Sequence, residues 1–178
     1  MSVRPGVPRW SLNVPTQVLV AAHYPDAADA LFDRARSFAD LIEATRKISD
    51  YEGLPETEME EGATYRTNIR IFGLVRCNDY QIKVNKICHA SRRVETVESN
   101  NVVRLWSHHM QIKPMENGAI WIDRVILDAG AMTPIVSRYA RFMYQHRHRS
   151  RKGQVIHATL SKSSRSVTPQ VPLFHPVD

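Results

Sequence analysis

The chain has little cysteine, little glycine and no long apolar run. Cys77 and Cys88 are its only cysteines. Two thiols make no disulfide framework, so cytoplasmic residence is the expectation. Seven glycines and ten prolines in 178 residues exclude collagen-like and low-complexity chains. No apolar stretch approaches the roughly 18 residues of a membrane span, so no transmembrane segment is expected. Met1 to Pro15 carries Arg4, Arg9 and three prolines without an apolar centre, which is not the pattern of a secretory signal. Gly-x-Ser-x-Gly, P-loop, Gly-x-Gly-x-x-Gly, Cys-x-x-Cys and His-Glu-x-x-His motifs are also missing. Serine hydrolase, NTPase, Rossmann and zinc-protease chemistry therefore have no motif support, and no cofactor or metal is expected.

What is present suits one folded domain, with 43% hydrophobic and 24% charged residues. A chain of this length buries a core without staples. The net charge of +6 is local: Pro134 to Lys152 holds Arg138, Arg141, Arg147, Arg149, Arg151 and Lys152 and no acid. These six charges equal the whole excess. One basic element is a weaker nucleic-acid signature than a basic domain, and no exposed aromatics interleave with it, so no specific nucleic-acid partner is expected. The opposite pole, Glu52 to Glu61, carries five glutamates.

Periodicity divides the chain. Residues 1–14 read as an irregular arm. Thr16 to Tyr24 reads as a strand ended by Pro25, with Asp26 capping a helix over Ala27 to Arg36. Ser37-Phe38-Ala39-Asp40 resembles a capping box, and Leu41, Ile42, Thr45 and Ile48 stripe a second short helix. At Gly62 the period changes from 3.6 to 2. Ala63 to Phe72 alternates, with Tyr65, Thr67 and Ile69 on the inner face. Asn78-Asp79 marks a turn or bulge, Tyr80, Ile82 and Val84 resume the alternation, and its inversion at Lys86 predicts a bulge near Asn85. Arg93 to Glu98 and Val102 to Lys113 read as strands. Glu116-Asn117-Gly118 is a hairpin signal leading into a strand over Ala119 to Ala129. Thr133-Pro134 opens a helix to Lys152 with Gly153 at its C-cap. Ile135, Tyr139, Phe142, Met143 and His146 form its apolar stripe. Residues 154–178 read as a tail, with a short strand possible over Val155 to Leu160.

This order predicts an α+β fold: a curved antiparallel sheet wrapped around a long C-terminal helix, with a concave gap between them. Here the chain resembles the START-like (SRPBCC) superfamily of polyketide cyclase/dehydrase and lipid-transport proteins. The resemblance covers about Thr16 to Lys152. It rests on Val20-Ala21-Ala22-His23-Tyr24-Pro25-Asp26, Glu61-Gly62-Ala63-Thr64-Tyr65, Trp106-Ser107-His108, Trp121-Ile122-Asp123-Arg124 and Arg147-His148-Arg149. It implies a helix-grip, START-like ligand-binding domain over 15–153 and a hydrophobic cavity between sheet and helix. It implies either simple binding of a small hydrophobic or aromatic molecule, or cyclase, aromatase or dehydratase chemistry with a cavity histidine as acid/base.

The residues supply candidates for both. Tyr65, Thr67, Ile69, Ile82, Trp106, Met110, Trp121, Phe142 and Met143 are the candidate ligand-binding set. Trp106, Met110, Trp121, Phe142 and Met143 each alone read first as core packing and only as a set as a cavity wall, with Tyr65 and Thr67 as its polar groups. His108 and His109 are adjacent in a strand and must point to opposite faces, so they cannot share a metal ion. One faces inward, first as a core histidine satisfied by a neighbour and second as a candidate acid or base. A three-residue Glu-Asn-Gly loop would set the candidate Asp123 opposite Gln111, near His109, and a one-residue shift would alter that pairing. Cys88 reads as a buried small hydrophobe. The basic helix end reads as a solvated terminus matched to the helix dipole, or as a docking patch for an acidic partner, an anionic membrane surface or nucleic acid.

Overall fold

The computed structural model describes residues 15–156. Eight strands form one sheet: β1 (Thr16–Tyr24), β2 (Ser49–Glu52), β3 (Thr64–Ile71), β4 (Val75–Cys88), β5 (Arg93–Ser99), β6 (Leu105–Met115), β7 (Gly118–Asp128) and β8 (Gln154–Ile156). Their order is β2-β3-β4-β5-β6-β7-β1-β8, and each neighbouring pair is antiparallel. Three helices, α1 (Ala28–Arg36), α2 (Phe38–Thr45) and α3 (Thr133–Ser150), complete the α+β helix-grip fold. Alternation along β7 is strict, with Ala119, Trp121, Asp123, Val125 and Leu127 buried between more exposed neighbours. That is the period-2 signature of a sheet with one covered face.

Two bulges bend the sheet. The register of β3 and β4 slips between Thr67/Tyr80 and Ile69/Cys77, so Asn78-Asp79 is a bulge, with Asp79 at φ 51°. Asn85 is the extra residue between Val84/Thr96 and Lys86/Glu95. The chain reversal between β3 and β4 lies earlier, at Phe72-Gly73. The hairpin joining β6 and β7 is one residue tighter than expected. Met115 pairs with Gly118, so Asp123 lies opposite Met110 and not Gln111. Gly118 has φ 115°, and a Cβ there would fall 2.0 Å from the Tyr24 carbonyl oxygen.

Several local expectations are corrected. Asp26 caps nothing: α1 starts after Ala27, which offers no side-chain cap. Ser37 does cap α2, its Oγ accepting from the Asp40 N–H at 3.2 Å. Ile48 lies beyond α2, beside a strand, β2, whose short polar sequence carries little periodicity. The strand expected from Val102 begins only at Leu105. Thr133 lies inside α3, and its Oγ1 accepts from the Ala129 N–H across a 3₁₀ turn over Gly130–Met132. At the other end of α3, Lys152 takes the left-handed conformation at φ 63°, and the Gly153 N–H returns to the His148 carbonyl at 2.8 Å. This is a Schellman closure with lysine in the place usually held by glycine. Gly153 has a different duty, because a Cβ there would lie 2.4 Å from Tyr24 Cζ. The sheet continues past Gly153 into β8, which pairs with β1. The expected arm over 1–14 and most of the tail over 154–178 lie outside the described residues.

The largest correction concerns α3. Its buried face is Ala140, Met143, Tyr144, Arg147 and His148, whereas Ile135 and Phe142 are exposed. The inward side is turned by about 100°, one residue's rotation, from the apolar stripe.

The Gly153 contact predicts that Gly153→Ala pushes Tyr24 off its site and costs about 1–3 kcal/mol, the usual scale of overpacking. Urea unfolding of the two proteins, followed by circular dichroism, measures the difference.

Candidate functional site

A cavity of about 430 Å³ lies between the sheet and α3. Ile69, Ile82, Trp106 and Met110 form its sheet wall, α3 contributes Met143 and Tyr144, and Phe38 of α2 closes one side. It sits where three packed clusters meet, one under each helix, and each cluster lends residues to the wall. The cavity opens beside Phe72, Val75, Val102, Met132 and Ile135, all exposed apolar side chains.

Of the candidate residues, Ile69, Ile82, Trp106, Met110, Trp121 and Met143 line this space. Tyr65, Thr67 and Phe142 do not. Tyr65 packs edge-on against Phe38, with its hydroxyl accepting from the Glu60 N–H at 3.0 Å. Thr67 spends its hydroxyl on the Glu52 carbonyl at 3.0 Å. Phe142 lies outside, beside Phe72 and His146, because α3 is rotated away from its apolar stripe.

The two adjacent histidines divide as strand geometry requires. His108 borders the cavity. His109 faces the other side of the sheet, with its Nδ1 3.7 Å from Glu95 Oε1. Asp123 is 2% exposed and shares His108's face, one step along the diagonal from its own partner Met110. Its Oδ1 accepts from His108 Nε2 at 2.7 Å and from Trp121 Nε1 at 3.1 Å. Its Oδ2 stands 2.9 Å from Nε2 of the fully buried His148 on α3, a close polar contact off the line of an ideal hydrogen bond. The expected nearness of Asp123 to His109 is thus replaced by a bridge between His108 and His148.

The network continues outward. His148 Nδ1 is 2.7 Å from the Tyr24 hydroxyl. Burial pushes that hydroxyl well above its ordinary pKa, only partly offset by Arg151. Tyr24 therefore keeps its proton, and its hydroxyl and His148 Nδ1 share one hydrogen bond. Burial alone would raise the Asp123 carboxyl. The hydrogen bonds and charge of His108 and His148 outweigh it and hold the carboxyl well below the usual carboxylate range. Arg151 lies over the Trp121 ring and pairs with Asp40, fastening the end of α3 to α2.

The basic run is accordingly not one solvated patch. Arg147 and Arg151 are buried, and Arg138, Arg141, Arg149 and Lys152 remain exposed. The side chains missed from sequence are Tyr24, Arg147, His148 and Arg151. The signal for three of them was present in the spacing 147, 148, 151, which places them on one helical face. Cys77 lines the cavity, and burial pushes its thiol up. Cys88 is half-buried, not buried, and hydrogen bonding to Ser91 lowers its thiol. Among the described residues no group of three metal-ligating side chains converges, and no helix is long and apolar enough to cross a membrane.

The fold is shared with solved structures of low sequence identity, so the likeness is one of fold. Protein CV1439 from Chromobacterium violaceum superposes with a TM-score of 0.61 at 8% identity, covering 75% of this chain and 92% of that one. TTHA0849 from Thermus thermophilus gives 0.58 at 10% identity, covering 76% and 93%. Ara h 8.0201 gives 0.55 at 11%, covering 78% and 99%. No curated protein matches the chain. Residues 45–154 match the model of the family described as a domain of unknown function, DUF8410, and the chain belongs to that family.

Because the Asp123 carboxyl is held low, its contribution to stability is complete above the unfolded value of about 3.9 and is lost as pH falls toward the folded value. Asp123→Asn is expected to cost about 3–5 kcal/mol at pH 7, the scale of a broken buried pair. It should also flatten the loss of stability below about pH 4. Urea midpoints of both proteins from pH 7 down to pH 3 read out both effects.

Proposed function

We propose that this chain binds a small, largely apolar molecule in the cavity between its sheet and α3, as a START-like binding protein without catalysis. The observation that carries this reading is the cavity itself. About 430 Å³ of space is left open inside a domain whose surrounding positions hold large side chains. Protein interiors ordinarily close such space, because each void forfeits packing. The volume falls in the range of small-molecule sites, and the wall is mostly apolar with a few polar groups, as such sites are built. The resemblance to the START-like superfamily supports the same reading. Two unpaired thiols also fit a reducing cytoplasm.

The acid/base alternative would rest on His108, which borders the cavity. Its Nε2, however, is committed to Asp123, and Asp123 also holds Trp121 and His148. Anchoring α3 to the sheet accounts for that whole arrangement without a substrate, so binding is the stronger reading.

The test uses the neutral fluorophore N-phenyl-1-naphthylamine, which brightens in apolar surroundings. The wild-type protein is expected to bind it saturably. Met143→Trp should fill the space and abolish binding while melting close to wild type. A full interior would instead lose roughly 1–3 kcal/mol to overpacking and show no binding by either protein.

A further inference from the structure

Arg147 is the feature of the cavity that simple apolar binding leaves unexplained. It borders the space and is only 8% exposed. Its Nε has no hydrogen-bond partner, and among the described residues no carboxylate lies within ion-pair distance of its guanidinium. Its closest compensation is the Tyr144 ring, 5.1 Å away. Guanidinium groups remain charged in proteins, so this is a buried cation without an ion-pair partner, offset only at longer range by the charges of Asp123 and Asp40.

The neighbouring acids are already occupied. Asp123 is held by His108, His148 and Trp121. Asp40 is held by Arg151 and Arg34. Glu98 also borders the cavity, but its oxygens accept from the Tyr80 and Thr96 hydroxyls at 2.8 and 2.9 Å. None of the three turns to Arg147. A planar fork of donors bordering a mostly apolar chamber fits a carboxylate bound in two-pronged fashion.

Resting on the binding reading above, we infer that the ligand is an amphipathic carboxylate: an apolar body in the chamber, its head group paired with Arg147. The carboxylate supplies the missing counter-ion, and the chamber supplies the apolar burial. A neutral ligand of the same body would leave the guanidinium unpaired and gain only the second contribution.

Competition against bound N-phenyl-1-naphthylamine tests this with the full chain. Decanoate, 1-decanol and decylamine share one apolar body and differ in head group. Decanoate is expected to displace the fluorophore about ten-fold or more tighter than decanol, the scale of a charge-assisted hydrogen bond. Decylamine should be the weakest. Arg147→Met should lose the preference for decanoate over decanol, read as the ratio of the two competition constants within that variant and so independent of its own affinity for the fluorophore. A cooperative thermal transition of the variant shows that it is folded. Fluorophore binding with decanol equal to decanoate would overturn the carboxylate inference and leave the cavity reading standing. Preference for decylamine would also overturn it, by assigning the head group to Glu98. Failure of the wild type to bind the fluorophore or any of the three compounds would overturn both readings.

Discussion

The Asp123 carboxylate sits out of reach of water between one imidazole from the sheet and another from the helix. Removing a carboxylate from water is expensive, and only a complete set of partners offsets the cost. His108 comes from β6, Trp121 from β7 itself and His148 from α3, and Tyr24 of β1 fixes the far side of His148. The pairing has one acceptable geometry. Turning α3 by a single residue would swing His148 away by about 100° and strand the charge. Apolar packing alone is far more tolerant, since hydrophobic surfaces slide and re-pack with modest loss. The polar clasp, more than the greasy contacts, therefore sets the rotation of α3 on the sheet.

That rotation explains what is inside and what is not. It brings in Tyr144, Arg147 and Arg151 beside His148, and it leaves Ile135 and Phe142 at the surface. Three packed clusters hold the helices against the curved sheet and surround the chamber without filling it. The bulges at Asn78-Asp79 and Asn85 increase the curvature that keeps sheet and helix apart there. The chamber and its unpaired arginine thus share one origin in the seating of α3.

The architecture was legible from sequence because it depends on periodicity. The change of period at Gly62, the inversion at Lys86 and the Glu116-Asn117-Gly118 hairpin each correspond to features found. Ranking α3 by hydrophobicity, however, selected Ile135 and Phe142 and passed over His148 and Arg147. No local rule says that an Asp on a strand and a His twenty-five positions later will meet in a closed interior. The one-residue error in the hairpin had a similar effect, placing Asp123 near the outward His109. Tyr65 and Thr67 were assigned to the correct face of β3, but the tyrosine is covered by α2 and the threonine is spent on the backbone of β2. A face is readable from alternation, whereas what covers it depends on elements remote in sequence.

The clasp and the mouth occupy opposite ends of α3. Ile135 at the opening and His148 at the clasp are thirteen residues apart, about 20 Å along the helix axis. At the opening stand the Phe72-Gly73 reversal and the Val102 segment, whose apolar side chains face solvent. Displacing these short segments widens the entrance without disturbing a single partner of Asp123. A ligand held as proposed would leave past the tip of a hairpin, whereas the seating of α3 depends on a charge at the far end. Substitutions at the entrance therefore leave the clasp intact, because the two ends share no residue.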